Sequence, residues 1–192
     1  MFDPKRPVSW SCLSSWEWNK ESWYKSYVLG ERDPATPAML FGNTVGETLG
    51  TKDSMVPGII AYPEMEYKLE AKLGKIKLIG YADSYHPEKK MLREYKTSQN
   101  AKRWNQDSVD KHGQLTMYAL LLFLMDKVKP EDLKIHLDHI PTQENGDFSV
   151  SLVDPITINT FETKRTMKDI LEFATYIKDT HKQMCEYTPE GV

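Results

Sequence analysis

The sequence predicts an α/β sandwich in which a mixed β-sheet is flanked by helices, in the order ααβββαββα. Three observations carry this expectation. Aromatic and aliphatic residues recur at helical spacing in the opening segment, three alternating stretches lie between residues 63 and 96, and a long apolar helix is followed by a hairpin signal and a closing helix. No internal repeat and no low-complexity tail interrupts residues 1–192, which read as one domain.

The first helix spans 9–29. Leu13, Trp16, Trp23 and Tyr27 recur at spacings of three, four or seven, Ser9 or Ser11 can cap the start, and Gly30 ends it. Four of the five tryptophans lie here, too many rings for one buried stripe, which leaves one free to face a ligand. A Pro-containing loop, 31–37, leads to a second helix over 37–49. Turn-forming residues 51–58 precede three strands at 63–73, 75–84 and 90–96. A helix over 107–125 follows, then strands at 133–140 and 148–153 joined through Asn145-Gly146, a favoured hairpin turn. The last helix is expected over 159–187.

The chemistry concentrates on the second and third strands. A hairpin symmetric about Glu88 and Lys89 sets Asp83 opposite Glu94, with cross-strand side chains about 5 Å apart. Two carboxylates that close repel unless a cation or a proton lies between them. Lys96 projects from the same face as Glu94, about 6–7 Å along the strand. Two acids and an ammonium so arranged suit phosphodiester hydrolysis: Mg²⁺ takes oxygen ligands, and a lysine stabilises charge gathering on phosphorus. Glu-x-Lys on a strand is also what a solvated salt bridge looks like. The surroundings favour chemistry, because an acid placed after Gly80 in an otherwise apolar strand pays a steep desolvation penalty unless it binds something.

Five stretches in order resemble the RecB-type exonuclease branch of the PD-(D/E)xK superfamily, whose core is restriction-endonuclease-like. These are Ser9-Trp-Ser-Cys-Leu-Ser-Ser-Trp16 with Trp23-Tyr24 and Tyr27, Phe41-Gly-Asn-Thr-Val-Gly-Glu47, Gly80-Tyr-Ala-Asp83, Glu94-Tyr-Lys96-Thr-Ser, and Gln114-Leu-Thr-Met-Tyr118-Ala. The resemblance implies that Asp83, Glu94 and the Tyr95 carbonyl bind Mg²⁺, for which Mn²⁺ can substitute, and that Lys96 is catalytic. Gln114 and Tyr118, at i and i+4 on one helix face, would steady the lysine or touch phosphates. Many relatives carry a ligand histidine in the second helix. Gly46 stands there, and Glu47 is either the replacement ligand or a plain helix glutamate. The four cysteines of an iron–sulfur cluster in some relatives have no counterpart, since Asn19 stands at the first position and Cys185 alone lies near the last three; no cluster is expected.

DNA is the implied partner, with Ser11, Lys102, Arg103 and Trp104 as candidate contacts. The 102–104 loop reads equally as a solvated loop with one anchoring ring, and His112 either faces the site or only packs. The net charge of −3 excludes a whole-surface polyanion binder, so nucleic acid would be held by local patches. No apolar run approaches the roughly 18 residues of a membrane span, and no signal peptide is visible, so a cytoplasmic protein is expected, of a host cell if viral. Compact forms of this kind resemble phage recombination enzymes. The expected activity is a metal-dependent deoxyribonuclease, exonuclease before structure-selective endonuclease or nickase. A module that keeps the fold and binds without cutting is the rival of another class.

Overall fold

The computed structural model describes residues 2–100 and 102–189. A helical layer comes first: α1 (Trp10–Trp18), α2 (Lys20–Tyr24) with a π-helical turn (Lys25–Leu29), and α3 (Pro37–Thr48). Strands β1 (Glu64–Leu73), β2 (Ile76–His86) and β3 (Met91–Ser98) follow, then α4 (Gln106–Asp110) and α5 (Gly113–Leu124). Strands β4 (Lys134–Glu144), β5 (Val150–Leu152) and β6 (Asn159–Thr163) lead into α6 (Met167–Glu186). The sheet runs β1-β2-β3-β4, with β5 and β6 both antiparallel to β4. The β3–β4 pair is parallel, which makes the sheet mixed as expected, and the Asn145-Gly146 hairpin joins β4 to β5.

Three expectations need correction. The opening helix is broken at Asn19, whose backbone is extended and whose side chain accepts from the Ser22 amide to cap a new helix. The helix expected over 107–125 is two pieces, since the chain turns at Lys111 and His112 before Gly113 starts α5. The closing helix begins at Met167 rather than 159. A reciprocal capping box between Thr166 and Asp169 starts it there, and residues 159–163 form β6 against β4. Thr160, Phe161 and Thr163 favour that strand, and β6 satisfies the β4 edge.

The main core lies between the sheet and α1, α5 and α6. Helix α5 is its centre, with Leu115 to Leu122 all buried, and Gly80 lets it come close: a Cβ there would sit 3.0 Å from the Tyr118 ring. A smaller core of Val45, Leu49, Val56, Tyr95 and Ile140 fastens α3 over β3 and β4. Because Leu92 belongs to the first core and Tyr95 to the second, β3 is covered on both faces.

Strands β2 and β3 pair over only three residues, Ser84↔Arg93 to His86↔Met91. Beyond Ser84 they part, and the N-terminal segment fills the space alongside the far end of β2. Val8 donates to the Lys77 carbonyl and accepts from the Ile79 amide. On its other side β3 is pinned to β4 by a buried ion pair, Arg93 to Asp138 at 2.6 Å, with Thr160 donating to the same carboxylate. Asp138→Ala would leave the Arg93 guanidinium buried without its counter-charge. Urea denaturation should show a loss of about 3–5 kcal/mol, the range for breaking a buried pair from one side.

Candidate active site

The parting of β2 from β3 is held open by a side chain. Asp83 accepts a hydrogen bond from the Tyr95 amide at 2.8 Å, taking the place of a ladder bond. Continuing the hairpin register by one residue sets Asp83 opposite Glu94, as the sequence predicts. Glu94 is buried and pairs through Oε1 with the Lys96 ammonium, while its Oε2 has no hydrogen-bond partner. Two acids and one amine therefore meet where the sheet divides.

The electrostatics are those of two acids that share one lysine. Burial raises the Asp83 pKa well above the ordinary carboxylate value, and repulsion from Glu94 adds to it, against partial relief from Lys96 and the Tyr95 amide. Burial works against the Lys96 ammonium, but Glu94 and Asp83 outweigh it and hold its pKa above the usual lysine value. An orphaned, buried carboxylate oxygen beside a second carboxylate is what an oxygen-seeking divalent cation would satisfy. Asp83, Glu94 and the Tyr95 carbonyl are the groups that would hold it.

Gln114 and Tyr118 are brought to the same place by α5. Gln114 Nε2 donates to the Tyr118 hydroxyl at 2.6 Å, and that hydroxyl donates to the Tyr81 carbonyl at 2.6 Å. Tyr81 belongs to the part of β2 that β3 has left, so the phenol satisfies a carbonyl beside the site. Burial, Glu94 and Asp83 together keep this phenol protonated, with its pKa well above the usual value.

Glu47 stands elsewhere. It is exposed on α3, on the wall of a cleft of about 950 Å³ that Asp83 and Lys96 also line. Among the described residues no three Asp, Glu, His or Cys side chains converge as a ligand set, so Glu47 is not drawn in with Asp83 and Glu94. Lys102 and Arg103 are exposed after β3. Of the two readings of its loop, Trp104 follows the anchoring ring rather than the base-stacking contact: it is 7% exposed and its ring packs 5.1 Å from His112, with Arg103 over its face. Ser11 is exposed on α1, where it accepts from Tyr27; Ser9, not Ser11, caps the helix.

Some participants escaped the sequence reading. Glu66 lines the cleft and stands opposite Asp83 when the β1–β2 register is continued, raising the Asp83 pKa slightly; that register would have located it. Arg165 is buried, with Nη2 donating to the Val109 and His112 carbonyls and Nε to Thr116. It fixes the turn that delivers Gln114, and nothing local in the sequence announces it. His112 packs between Trp10 and Trp104, and burial with the neighbouring Lys96, Arg165 and Arg103 charges pushes its pKa down to about 4, so the ring is neutral at physiological pH.

Because the Asp83 pKa is raised by folding, the protonated form favours the fold. Its contribution is complete below the ordinary aspartate pKa of about 4 and is lost as pH climbs through the raised value. Asp83→Asn keeps the shape and removes the charge. In chelator-treated protein it should raise the melting temperature at neutral pH, with the gain vanishing as pH falls to about 4; an equal gain at both pH values would contradict this electrostatic account.

No protein-family model matches the chain, and no curated protein matches it either. Solved structures do. A phage-related exonuclease from Haemophilus somnus 129PT superposes with a TM-score of 0.54 at 14% identity, covering 86% of this chain and 80% of that one. A protein from Eubacterium rectale, named provisionally as an exonuclease, superposes with a TM-score of 0.64 at 12% identity, covering 95% of this chain and 81% of that one. At such identities the likeness is one of fold: this chain has the mixed α/β, restriction-endonuclease-like architecture that those proteins share.

Proposed function

We propose that this chain is a metal-dependent deoxyribonuclease of the PD-(D/E)xK type, and within that class an exonuclease. The observation that carries the reading is the meeting of Asp83, Glu94 and Lys96 at the division of the sheet, with a buried Glu94 oxygen left unpartnered. The exonuclease assignment draws further support from the names given to proteins of the same fold.

Bound Mg²⁺ or Mn²⁺ would lower the pKa of a coordinated water and draw charge from the phosphate oxygens. The rest falls to the chain. Asp83 and Glu94 would hold the cation, and the Tyr95 amide, donating to Asp83, helps orient that carboxylate. Lys96 keeps its proton and presents Nζ to a non-bridging phosphate oxygen, where negative charge grows as the nucleophile adds. The Gln114–Tyr118–Tyr81 chain of hydrogen bonds fixes the neighbouring wall, so that the reacting groups need not reorganise during the reaction. Exposed Lys102 and Arg103, after β3, suit phosphates flanking the scissile one. The chain holds no helix among the described residues that is long and apolar enough to cross a membrane.

Incubation of linear and covalently closed circular DNA with Mg²⁺ or Mn²⁺ tests the reading. Loss of linear DNA alone is the expected outcome, whereas cutting of circles would make the chain an endonuclease or nickase. Binding without any cutting would make it a non-catalytic module. Lys96→Ala should lower the cleavage rate by about 10²–10³, the scale of removing one preorganised charge-stabilising group, while leaving Mn²⁺ affinity close to the parent. Asp83→Ala should remove both activity and Mn²⁺ binding in calorimetry. Loss of metal binding in the lysine variant would contradict the assigned roles.

A further inference from the structure

We infer that the left-handed backbone at Glu66, in the middle of β1, turns Asp83 out of the alternation of its strand and onto the Tyr95 amide, which makes Glu66 a positioning residue for the cation site. That site is the one of the nuclease reading, on which this role rests. The reversal of alternation is a property of the sheet itself.

In a regular strand, residues two apart share a face. β1 and β2 keep this rule along most of their length and break it at one point. On β1, Tyr67 packs against the main core, whereas Met65, two residues earlier, packs against the smaller one. On β2, Ala82 lies in the main core, and it is Tyr85 rather than Ser84 that returns to it, stacking 5.0 Å from Tyr67. Ser84 accepts instead from the Tyr62 amide. The two reversals face each other. Pairing runs from Glu64↔Tyr85 to Leu73↔Ile76, and the only position it omits is Glu66 with Asp83.

The backbone shows how the reversal is made. Glu66 has a φ of +49°, whereas the other described non-glycine residues with positive φ, Lys90, Asp126 and Phe148, all stand outside the strands. Glutamate seldom adopts this region, and no turn asks for it, since β1 runs on to Leu73. Such residues persist where their surroundings enforce them, and they gather at functional sites. The gain here is at Asp83. A strand side chain stands roughly perpendicular to its sheet, and from there it does not replace a ladder acceptor. Asp83 does replace one, accepting from the Tyr95 amide at 2.8 Å. When β1 reverses together with β2, the carboxylate can lean across to β3 while Met65↔Ser84 and Glu64↔Tyr85 stay paired. The Glu66 carboxylate has no part in this. It is exposed, and no three acids converge as a ligand set among the described residues.

Variants at this one position separate backbone from side chain. Glycine takes positive φ freely, a β-branched residue resists it, and glutamine keeps the shape without the charge. Two measurements apply: hydrogen exchange of the Tyr95 amide in metal-free protein, followed by NMR, and Mn²⁺ affinity by calorimetry. Glu66→Gly and Glu66→Gln should match the parent in both. Glu66→Val should speed exchange at Tyr95 by about tenfold or more while the amides of β4 stay protected. It should also weaken Mn²⁺ binding by about tenfold or more, the scale of losing a group that orients a ligand. A folded valine variant with Tyr95 still protected, or a glycine variant that loses the protection, would overturn the inference. So would loss of Mn²⁺ affinity in both the glycine and glutamine variants with Tyr95 still protected, which would make Glu66 a cation ligand. If Glu66→Val does not fold, melting temperatures in chelator decide. Glu66→Gly should raise the melting temperature of the parent and lower that of Asp83→Ala, where residue 66 is free to extend and glycine only weakens the strand. The same shift in both backgrounds would refute the role. Hydrolysis of bis(4-nitrophenyl) phosphate by the unaltered protein with Mn²⁺ reports separately on the nuclease reading. Its absence beside the expected exchange pattern would sink the nuclease alone, and its presence without that pattern would sink the role of Glu66 alone.

Discussion

One hydrogen bond organises this molecule, the acceptance of the Tyr95 amide by the Asp83 carboxylate. A β-ladder would ordinarily have used that amide. By taking it, Asp83 ends the pairing of β2 with β3 and fixes a charged group at the point of separation. Three other groups of β2 find partners beyond β3: Val8 bonds to Lys77 and Ile79, and the Tyr118 phenol donates to the Tyr81 carbonyl. Each of these bonds gives a backbone group at the opening a partner, and so lowers the penalty that burial of unpaired amides and carbonyls carries.

What the fold does not satisfy is the negative charge. Half-buried Asp83 and buried Glu94 lie close enough to repel, one lysine serves them both, and one Glu94 oxygen has no partner. Around them the structure is over-determined. The Arg93–Asp138 pair ties β3 to β4, Arg165 clamps the turn before α5, and the Gln114–Tyr118 pair is locked to β2. These fixed surroundings hold the electrostatic deficit in place, so that the scaffold rather than the charged groups absorbs its cost.

Much of this was legible in the residues alone. The hairpin register that sets Asp83 opposite Glu94 follows from alternation and a symmetric turn, and the four-residue spacing of Gln114 and Tyr118 sufficed to place them together. The three central strands are each within two residues of their expected limits. What escaped depended on partners distant in sequence. β6 forms because β4 offers it an edge, and its alternation is too short to compete locally with the adjoining helical pattern. The break before α5 depends on Arg165, more than fifty residues away, and on the Trp10 ring lying where a Gly113 side chain would be. Burial of Trp104 against His112 is the anchoring-ring alternative for its loop, and tertiary contacts rather than the Lys-Arg-Trp composition decide between the two readings.

The strap at Val8 has a consequence for the order in which the molecule comes together. Its two bonds join positions about seventy residues apart, a separation whose closure entropy must be met before the contact gives anything back. The short β2–β3 hairpin needs no such reach, so its turn-proximal end can zip early while the diverging end waits for the amino-terminal segment to return. The end of the sheet that Val8 completes is then the last to gain its full set of strand bonds.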